Sequence, residues 1–378
     1  MDGKRAAGIL IRLERMRKDW SQDGLCKGIC AVSYLSKIEQ GKVQADSKLL
    51  NLLFRRLEKT WCDDEQILRP LRKLCEDLYE AFLSGDIDGG MTLLPALDEH
   101  WEQLICSPLI GDALALKAHW TNNPQGVPTE LESIMDDRQR CLMALSRNER
   151  STAWNLYPCA VTGYILGTGL YHAGDCTQAL EYSLRAYDLA AREGAVRLMM
   201  FCQLTMGNCY SNLGNLEQMA AHNRVACRIA KAIGDADVER QVRYNVMSTE
   251  MELGRFEDAF LYFSALADPE LLELHKLAIC CEKLGKRTEA LTALDRAEGM
   301  EADHPVYYQM CRIVRIRLET ADYLHNEAYG TLLLRTFDAM CQELPKGYAK
   351  FHLPWVEEWM TANRRYREAY ELVRDFTK

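Results

Sequence analysis

The sequence predicts an all-α protein, in which a small N-terminal helical domain is followed by a right-handed superhelical solenoid of helical hairpins. Apolar residues recur with the helical period along nearly the whole chain, and no segment shows the alternation of a strand. Glycines, single prolines and short polar breaks return about every 15 to 20 residues, which is typical of stacked hairpins. The predicted boundaries are residues 1–61 for the N-terminal domain, 62–70 for a linker and 71–378 for the repeats.

The N-terminal domain contains two short predicted helices that meet at a tight turn, within residues 20–42. Ser21 is a good N-cap for the first helix, and Gly28 follows it as a stop signal. The second helix buries Leu35 and neighbouring apolar residues before Gly41 ends it, and Glu39 is interpreted as a structural residue that pairs with a neighbouring basic group. This arrangement is a helix-turn-helix, which places its second helix in the major groove of DNA.

Charge is distributed unevenly along the chain. Residues 1–61 carry 13 Lys and Arg against 7 Asp and Glu, a net charge of +6, while the remainder carries −15. An acidic body is repelled by DNA, so nucleic acid is expected to engage only the N-terminal domain, where basic residues supply the salt-dependent contacts to phosphates.

Several functional classes are disfavoured by what the sequence lacks. It has no apolar run long enough to span a membrane and no signal peptide, so we expect a soluble cytoplasmic protein without a membrane partner. The 15 cysteines form no CxxC pair, which favours reduced thiols used as small apolar residues. There is no P-loop, nucleophile elbow, metal-ligand cluster or acid–base pair, so neither an enzyme nor a cofactor is expected.

The motifs SQDGLC, GICAVSYLSKIEQGK and ADSKLLNLLFRRL resemble the XRE class of helix-turn-helix domains over residues 8–58. The short span from Ser21 to Gly41 resembles the version in the RNPP group, the peptide-sensing regulators of Gram-positive bacteria that include Rgg-type and PlcR-like proteins. The sequence departs from this pattern at Ala31, where a polar residue is expected to begin the recognition helix.

The resemblance implies roles for several residues of this domain. Gln22 would anchor the first helix to the DNA backbone, and the recognition face would consist of Val32, Ser33, Ser36 and Lys37. Lys42 and Lys48 flank the second helix and are candidates for phosphate contacts. A homodimer would place two recognition helices about 34 Å apart on a near-palindromic operator.

Small residues recur in four copies in the second part of the chain, and the first three copies are 40 residues apart. Leu166, Gly167 and Gly174 are followed by Met206, Gly207 and Gly214, and further copies keep Gly254 with Ala259 and Gly285 with Ala290. These copies resemble the tetratricopeptide repeat, in which small residues allow two antiparallel helices to approach closely and glycine permits the turn between them.

The first helix of each hairpin is expected to line a concave face suited to an extended peptide. The predicted peptide-binding residues at its inward positions are Tyr164, Thr168, Tyr171, Asn208, Asn212, Gln241, Tyr244, Asn245 and Ser248, with His172 and Ser211 beside them. Amide side chains both donate and accept, so they can pair with a peptide backbone, and the resemblance implies that asparagines clamp the peptide here.

Charged residues of the same region have two interpretations. These residues either bind a peptide carboxylate or are ordinary surface charges: Arg243, Lys276 and Arg312. Four histidines of the repeats are interpreted as surface or core residues on separate hairpins: His222, His275, His304 and His352.

The sequence therefore favours a transcriptional regulator that binds DNA and responds to a short signalling peptide. The alternative is a repeat-based protein-binding module, or a regulator that responds to a protein partner or has no peptide ligand.

Overall fold

The computed structural model describes residues 3–234, 236–300, 304–344 and 346–376, and within these ranges every regular element is a helix. The predicted all-α fold class is confirmed. In the same ranges, no helix combines the length and the apolar character that crossing a lipid bilayer requires. The chain forms two compact units, Met1–Met206 and Gly207–Lys378.

The chain begins with four helices around a shared core. They are α1 (Gly3–Arg17), α2 (Gln22–Cys26), α3 (Val32–Glu39) and α4 (Ser47–Arg56). Ser21 caps α2 as predicted, because its hydroxyl oxygen accepts a hydrogen bond of 3.0 Å from the backbone N–H of Gly24. Helices α1 and α3 pack so closely that a Cβ on Gly8 would lie 2.1 Å from the carbonyl oxygen of Ile38. The predicted pair of short helices is present as α2 and α3.

Seven further helices complete the first part of the chain before the repeats. They are α5 (Glu65–Ser84), α6 (Ile87–Glu99), α7 (Trp101–Ile105), α8 (Ile110–Trp120), α9 (Thr129–Glu132), α10 (Asp137–Ser146) and α11 (Arg150–Leu156).

The predicted linker at residues 62–70 is wrong in its extent, because α5 already begins at Glu65 and continues through Pro70. Asp64 caps this helix by accepting a hydrogen bond of 2.9 Å from the backbone N–H of Gln66. Pro70 removes only one backbone hydrogen bond, and it is exposed, so water can satisfy the carbonyl that is left free.

The predicted domain boundary at residue 61 does not separate two hydrophobic cores. Trp61 is buried and its ring stacks on that of Phe54 with 5.1 Å between centroids. The same core cluster continues through Cys106, Ile110 and Leu131 of the following helices. The N-terminal helices therefore share their core with the helices that follow, inside one compact unit.

Six helical hairpins follow in the described part of the chain. They are α12 (Ala160–His172) with α13 (Cys176–Glu193), α14 (Val196–Asn212) with α15 (Leu216–Ile233), α16 (Ala236–Glu252) with α17 (Phe256–Ser264), α18 (Leu271–Lys283) with α19 (Arg287–Ala297), α20 (Pro305–Glu319) with α21 (Glu327–Glu343), and α22 (Lys346–Ala362) with α23 (Tyr366–Phe376). Short 3₁₀ turns lie at Glu298–Met300 and Tyr323–His325.

The phase predicted for the first four hairpins is confirmed by their turns. Gly174, Gly214, Gly254 and Gly285 each follow the first helix of a hairpin with φ between 71° and 87°, the left-handed region that favours glycine. Small residues also set the helix spacing, because a Cβ on Gly167 would lie 2.8 Å from the hydroxyl oxygen of Ser183.

Candidate functional sites

The start of α3 presents the residues that the sequence assigned to DNA contact. Val32 is 39% exposed, and Ser33 and Lys37 are exposed one turn apart on the same face. Ser36 is half-buried, and its hydroxyl oxygen accepts a hydrogen bond of 3.1 Å from the side-chain amide of Gln40. Ala31 begins the helix without a side-chain cap, so no side chain at this position competes for the first backbone N–H groups.

Two more predicted contacts flank this face. Lys42 follows α3 and Lys48 lies in the first turn of α4, and both side chains are exposed. Exposed ammonium groups on either side of a recognition helix suit phosphate oxygens.

A buried carboxylate connects α3 to α1 and α2 through hydrogen bonds. Glu39 is only 3% exposed, and its oxygens accept hydrogen bonds of 2.7 and 3.0 Å from the guanidinium of Arg15. Gln22 donates its side-chain N–H to the same carboxylate at 2.8 Å. This hydrogen bonding raises the pKa of Arg15. The sequence indicated that Glu39 pairs with a basic residue, but it did not indicate that Gln22, assigned to the DNA backbone, also binds inside the protein.

A second set of hydrogen bonds holds the turn between α2 and α3, and the sequence gives no sign of it. Arg56 at the end of α4 donates to the backbone carbonyl oxygen of Leu25 at 2.9 Å and also to that of Lys27. These are carbonyls at the C-terminal end of α2, which have no partner within the helix. No local pattern reveals this contact, because its partners are about 30 residues apart in sequence.

In the first compact unit, the predicted peptide-binding residues share one face of α12. Tyr164, Thr168 and Tyr171 follow one another at helical spacing and are all half-buried. Tyr164 stacks on Phe201 with 5.8 Å between ring centroids, and burial raises the pKa of its hydroxyl. Tyr171 lies beside His172, with ring centroids 5.2 Å apart.

In the second compact unit, the predicted residues differ in accessibility. Gln241 is exposed, whereas Asn208, Asn212 and Asn245 are half-buried, each on the first helix of a hairpin. Half-buried amides on a helix surface retain polar atoms that a ligand can reach.

Tyr244 and Ser248 lie one turn apart on α16 and form a less accessible pair. Their hydroxyl oxygens are buried and face each other without meeting the geometry of a hydrogen bond. Burial raises the pKa of Tyr244 well above its ordinary value.

The first helices of the later hairpins form a set that we call the inner row: α16, α18, α20 and α22. Helix α18 packs against α16 and α20, and side chains of α22 contact α18 and α20. Tyr307 on α20 stacks on Tyr348 on α22, with 5.8 Å between ring centroids. Lys350 on α22 donates to the backbone carbonyl oxygen of Ser211 at the end of α14. The inner row therefore curves far enough for the last hairpin to reach the second one.

Two histidines of the inner row meet although they are 77 residues apart in sequence. The Nε2 atoms of His275 and His352 lie 3.4 Å apart, and both residues are buried. His352 Nδ1 lies 2.8 Å from the carbonyl oxygen of Tyr348, so it carries the proton and leaves Nε2 to accept from His275. His275 Nδ1 then remains a buried acceptor without a donor in the described part of the chain.

Burial keeps these two rings neutral. It lowers the pKa of His352 to about 3 and that of His275 well below its ordinary value, and each ring is further disfavoured as a cation by Lys276. The interpretation of both residues as core histidines is consistent with this burial, but their separate positions in the sequence gave no sign that they form a pair.

The three basic residues considered for a carboxylate have different surroundings. Arg243 is bound to Glu239 at 2.9 Å on its own helix, and Arg312 is exposed and donates to Gln309 at 3.2 Å. Lys276 is 5% exposed, and its ammonium lies 3.2 Å from the ring centroid of Phe351. Lys276 is thus the one of the three that is buried within the inner row.

No metal centre is formed by the described residues, since no group of three or more His, Cys, Asp or Glu could hold an ion. All 15 cysteines lie within the described ranges as free thiols, and most of them are buried. Buried thiols of this kind pack as small apolar side chains.

Comparison with known proteins places the fold but not the sequence family. No family model matches the chain, and no curated protein does. Among solved structures, a Rap protein complexed with Competence and Sporulation Factor is 15% identical, with a TM-score of 0.54 over 82% of this chain and 96% of that chain. The apo form of the quorum sensor NprR from B. thuringiensis is 14% identical, with a TM-score of 0.54 over 82% of this chain and 100% of that one. At these identities the likeness shows a shared fold of helical hairpins.

Proposed function

We propose that this protein is a DNA-binding transcriptional regulator of the RNPP kind, whose repeats bind a short signalling peptide and thereby alter the placement of the DNA-binding helices. The observation that carries the proposal is the α2–α3 pair, which is held together through Glu39. This pair presents Ser33 and Lys37 on the basic N-terminal part of the chain, and helical hairpins follow later in the chain.

The exposed start of α3 supports the DNA-binding half of the proposal. A helix of this length fits the major groove, where residues of its first turns reach base edges. Ser33 and Lys37 can hydrogen-bond bases or phosphates, and Val32 can contact a thymine methyl group. With Lys42 and Lys48 on phosphates, few polar groups read bases directly, so DNA shape contributes to specificity. We further propose a homodimer on an operator with two-fold symmetry, because two recognition helices one turn of DNA apart double the contact area.

The inward side of the hairpins supports the peptide-binding half. An extended peptide exposes backbone N–H and C=O groups, and half-buried amides such as Asn208 and Asn245 can pair with both. Within the second unit, the ring of Tyr244 provides apolar surface for the peptide's side chains. The two structures of similar fold also support binding of a signalling peptide, because one is described as a quorum sensor and the other as complexed with Competence and Sporulation Factor.

The DNA-binding half is tested by titrating the full chain onto a fluorescent duplex from upstream of its own gene, between about 50 and 200 mM salt. Lys37→Ala should weaken binding and lower the slope of log affinity against log salt by about 1. Lys73→Ala, which removes the same charge from the exposed Lys73–Asp77 pair on α5, is the matched control and should leave the slope unchanged. Absence of binding at the lowest salt would contradict the DNA-binding proposal.

The peptide-binding half is tested with synthetic peptides copied from small secreted proteins encoded beside this gene. The double change Asn208→Ala and Asn245→Ala should remove the effect of the peptide on DNA binding without changing DNA affinity in its absence. Gln342→Ala, an exposed amide on the second helix of its hairpin, is the control. A response that survives the double change would favour a different ligand, such as a protein partner.

A further inference from the structure

Lys276 is a buried cation on the inner row. Only 5% of the residue is exposed, and its ammonium lies over the ring of Phe351 at 3.2 Å from the centroid. In the described ranges it forms no ion pair and no hydrogen bond, and its contact with the ring is a cation–π interaction. An aromatic face attracts a cation but does not neutralise it, so the charge is left without a counter-ion.

The groups that face Lys276 come from three helices. Glu252 at the end of α16 is the one acidic side chain that influences it, from beyond ion-pair distance. His275 and Cys280 lie on its own helix, His352 lies on α22, and Lys350 of α22 acts on Glu252. Since the histidines are neutral and Glu252 is shared between two lysines, the cluster carries more positive than negative charge.

A buried ammonium without a partner is unfavourable, and it has two ways to relieve the penalty. It can lose its proton, and burial indeed lowers the pKa of Lys276 to about 7. It can also receive an anion, which would restore the charged form and add a charge-assisted hydrogen bond.

We propose that Lys276 is an anion subsite of the inner row and binds a carboxylate group of the peptide ligand. This inference rests on the proposed function, since it specifies the chemistry of the ligand taken by the same face. The carboxylate comes either from the C-terminus of the peptide or from an Asp or Glu side chain. Lys350, which already reaches across to Ser211, provides a second cation beside the subsite.

Binding at this subsite is coupled to a proton. A carboxylate favours the charged form of Lys276, so above about pH 7 each binding event takes up close to one proton. The affinity should then fall by up to about tenfold for each pH unit above 7, until the raised pKa of the bound state is reached. His275 and His352 stay neutral over this range and do not contribute, because burial holds their pKa values below it.

Two pools of synthetic hexapeptides identify the source of the carboxylate. One pool has a free C-terminus and contains no Asp or Glu, and the other has an amidated C-terminus and one Asp or Glu at each position in turn. The full chain is incubated with each pool, separated by gel filtration, and the retained peptides are identified by mass spectrometry. Retention from the first pool assigns the subsite to the C-terminus, and retention from the second assigns it to an acidic side chain.

Retained peptides are then compared by calorimetry on two variants. Lys276→Met should weaken binding by about 10- to 100-fold, the range for losing one hydrogen bond to a charged group. Lys286→Met is the matched control, because Lys286 also lies over an aromatic ring, that of Phe260 at 4.2 Å, but outside the inner row; it should leave affinity unchanged.

The unaltered chain supplies an independent readout if a variant folds poorly. Calorimetry at about pH 8 in buffers of different ionisation enthalpy should show uptake of nearly one proton per peptide. Equal affinity of Lys276→Met and the unaltered chain, or binding without proton uptake, would overturn the subsite while leaving the proposed function intact. Retention of no peptide from either pool would overturn both the subsite and the peptide-binding half of the proposed function.

Discussion

Two cations of the C-terminal unit have little side-chain exposure but opposite surroundings. The side chain of Arg317 and the residue Lys276 each keep 5% of their surface exposed. Arg317 donates to Glu282 at 2.9 Å, to the hydroxyl oxygen of Tyr329 at 3.3 Å and to Glu358 at 3.5 Å. Lys276 has one aromatic ring and no ion pair in the described residues.

The comparison distinguishes a buried charge that holds helices together from a buried charge that can still bind a ligand. A buried ion stabilises its surroundings only when its partners replace the lost water, and Arg317 joins α18, α20, α21 and α22 in that way. Glu39 does the same for α1, α2 and α3 through Arg15 and Gln22. Lys276 forms no ion pair in the described residues and its charge contacts only the ring of Phe351, so removal of that charge should affect binding more than folding.

The largest effect is expected from Arg317→Ala. This change leaves Glu282 without its cation and should lower the free energy of unfolding by about 3–5 kcal/mol, as for other broken buried pairs. Lys276→Met replaces an unpaired charge by an apolar side chain of similar length, so it should be neutral or stabilising by about 1 kcal/mol or more. Urea denaturation of both variants, followed by circular dichroism, measures the difference. An equal loss for the two variants would show that Lys276 is structural.

The second-largest effect is expected for Glu39, the other buried charge that has hydrogen-bond partners within the protein. Glu39→Ala should cost about 3 kcal/mol and abolish DNA binding, because Arg15 then lacks its carboxylate and α3 loses its connection to α1 and α2. Both are measured on one preparation, by denaturation and by fluorescence anisotropy with duplex DNA. Glu58→Gln removes a carboxylate of the same domain from the exposed Lys18–Glu58 pair and should change neither. Unchanged DNA binding in Glu39→Ala would show that the hydrogen bonds of Glu39 are not needed for DNA recognition.

Local chemistry explains what could be predicted from the sequence. The bounds of α2 and α3 follow from the Ser21 cap and from Gly28 and Gly41, whose effects act within a few residues. The hairpin turns follow from the recurrence of glycine for the same reason. Glu39 could be recognised as a partner of a basic residue because a carboxylate on the buried side of a short helix needs one.

Contacts between distant residues account for what could not be predicted. His275 meets His352 only because the inner row curves, and a repeat pattern gives the phase of helices but not their curvature. Arg56 reaches the end of α2 through the tertiary arrangement of α4. Pro70 and the acidic run before it resembled a break, whereas Asp64 caps a helix whose apolar face packs into the core. The burial of Lys276 depends on Phe351 from a hairpin 75 residues away.

The smallest expected effect is the pH dependence of folding stability that the histidine pair causes. Its direction follows from the direction of the pKa shift. The folded pKa of His352 is about 3 against an ordinary value of 6.5, so between these values the unfolded chain binds the proton and the folded chain does not. Folding stability is therefore lost as the pH falls through this window, by up to about 1.4 kcal/mol for each pH unit and each such histidine. His352→Gln removes this proton and should make the unfolding free energy less sensitive to acid.

Urea denaturation at about pH 7 and about pH 5.5 measures this effect as the difference between the unaltered chain and His352→Gln, expected near 1 kcal/mol. His325 provides a control of opposite sign, because its contact with Asp322 raises its pKa and favours the folded state below pH 6.5. His325→Gln should therefore leave the acid loss unchanged or slightly larger. If His352→Gln loses as much stability on acidification as the unaltered chain, then the ring takes its proton inside the folded protein, and its pKa is not lowered by burial.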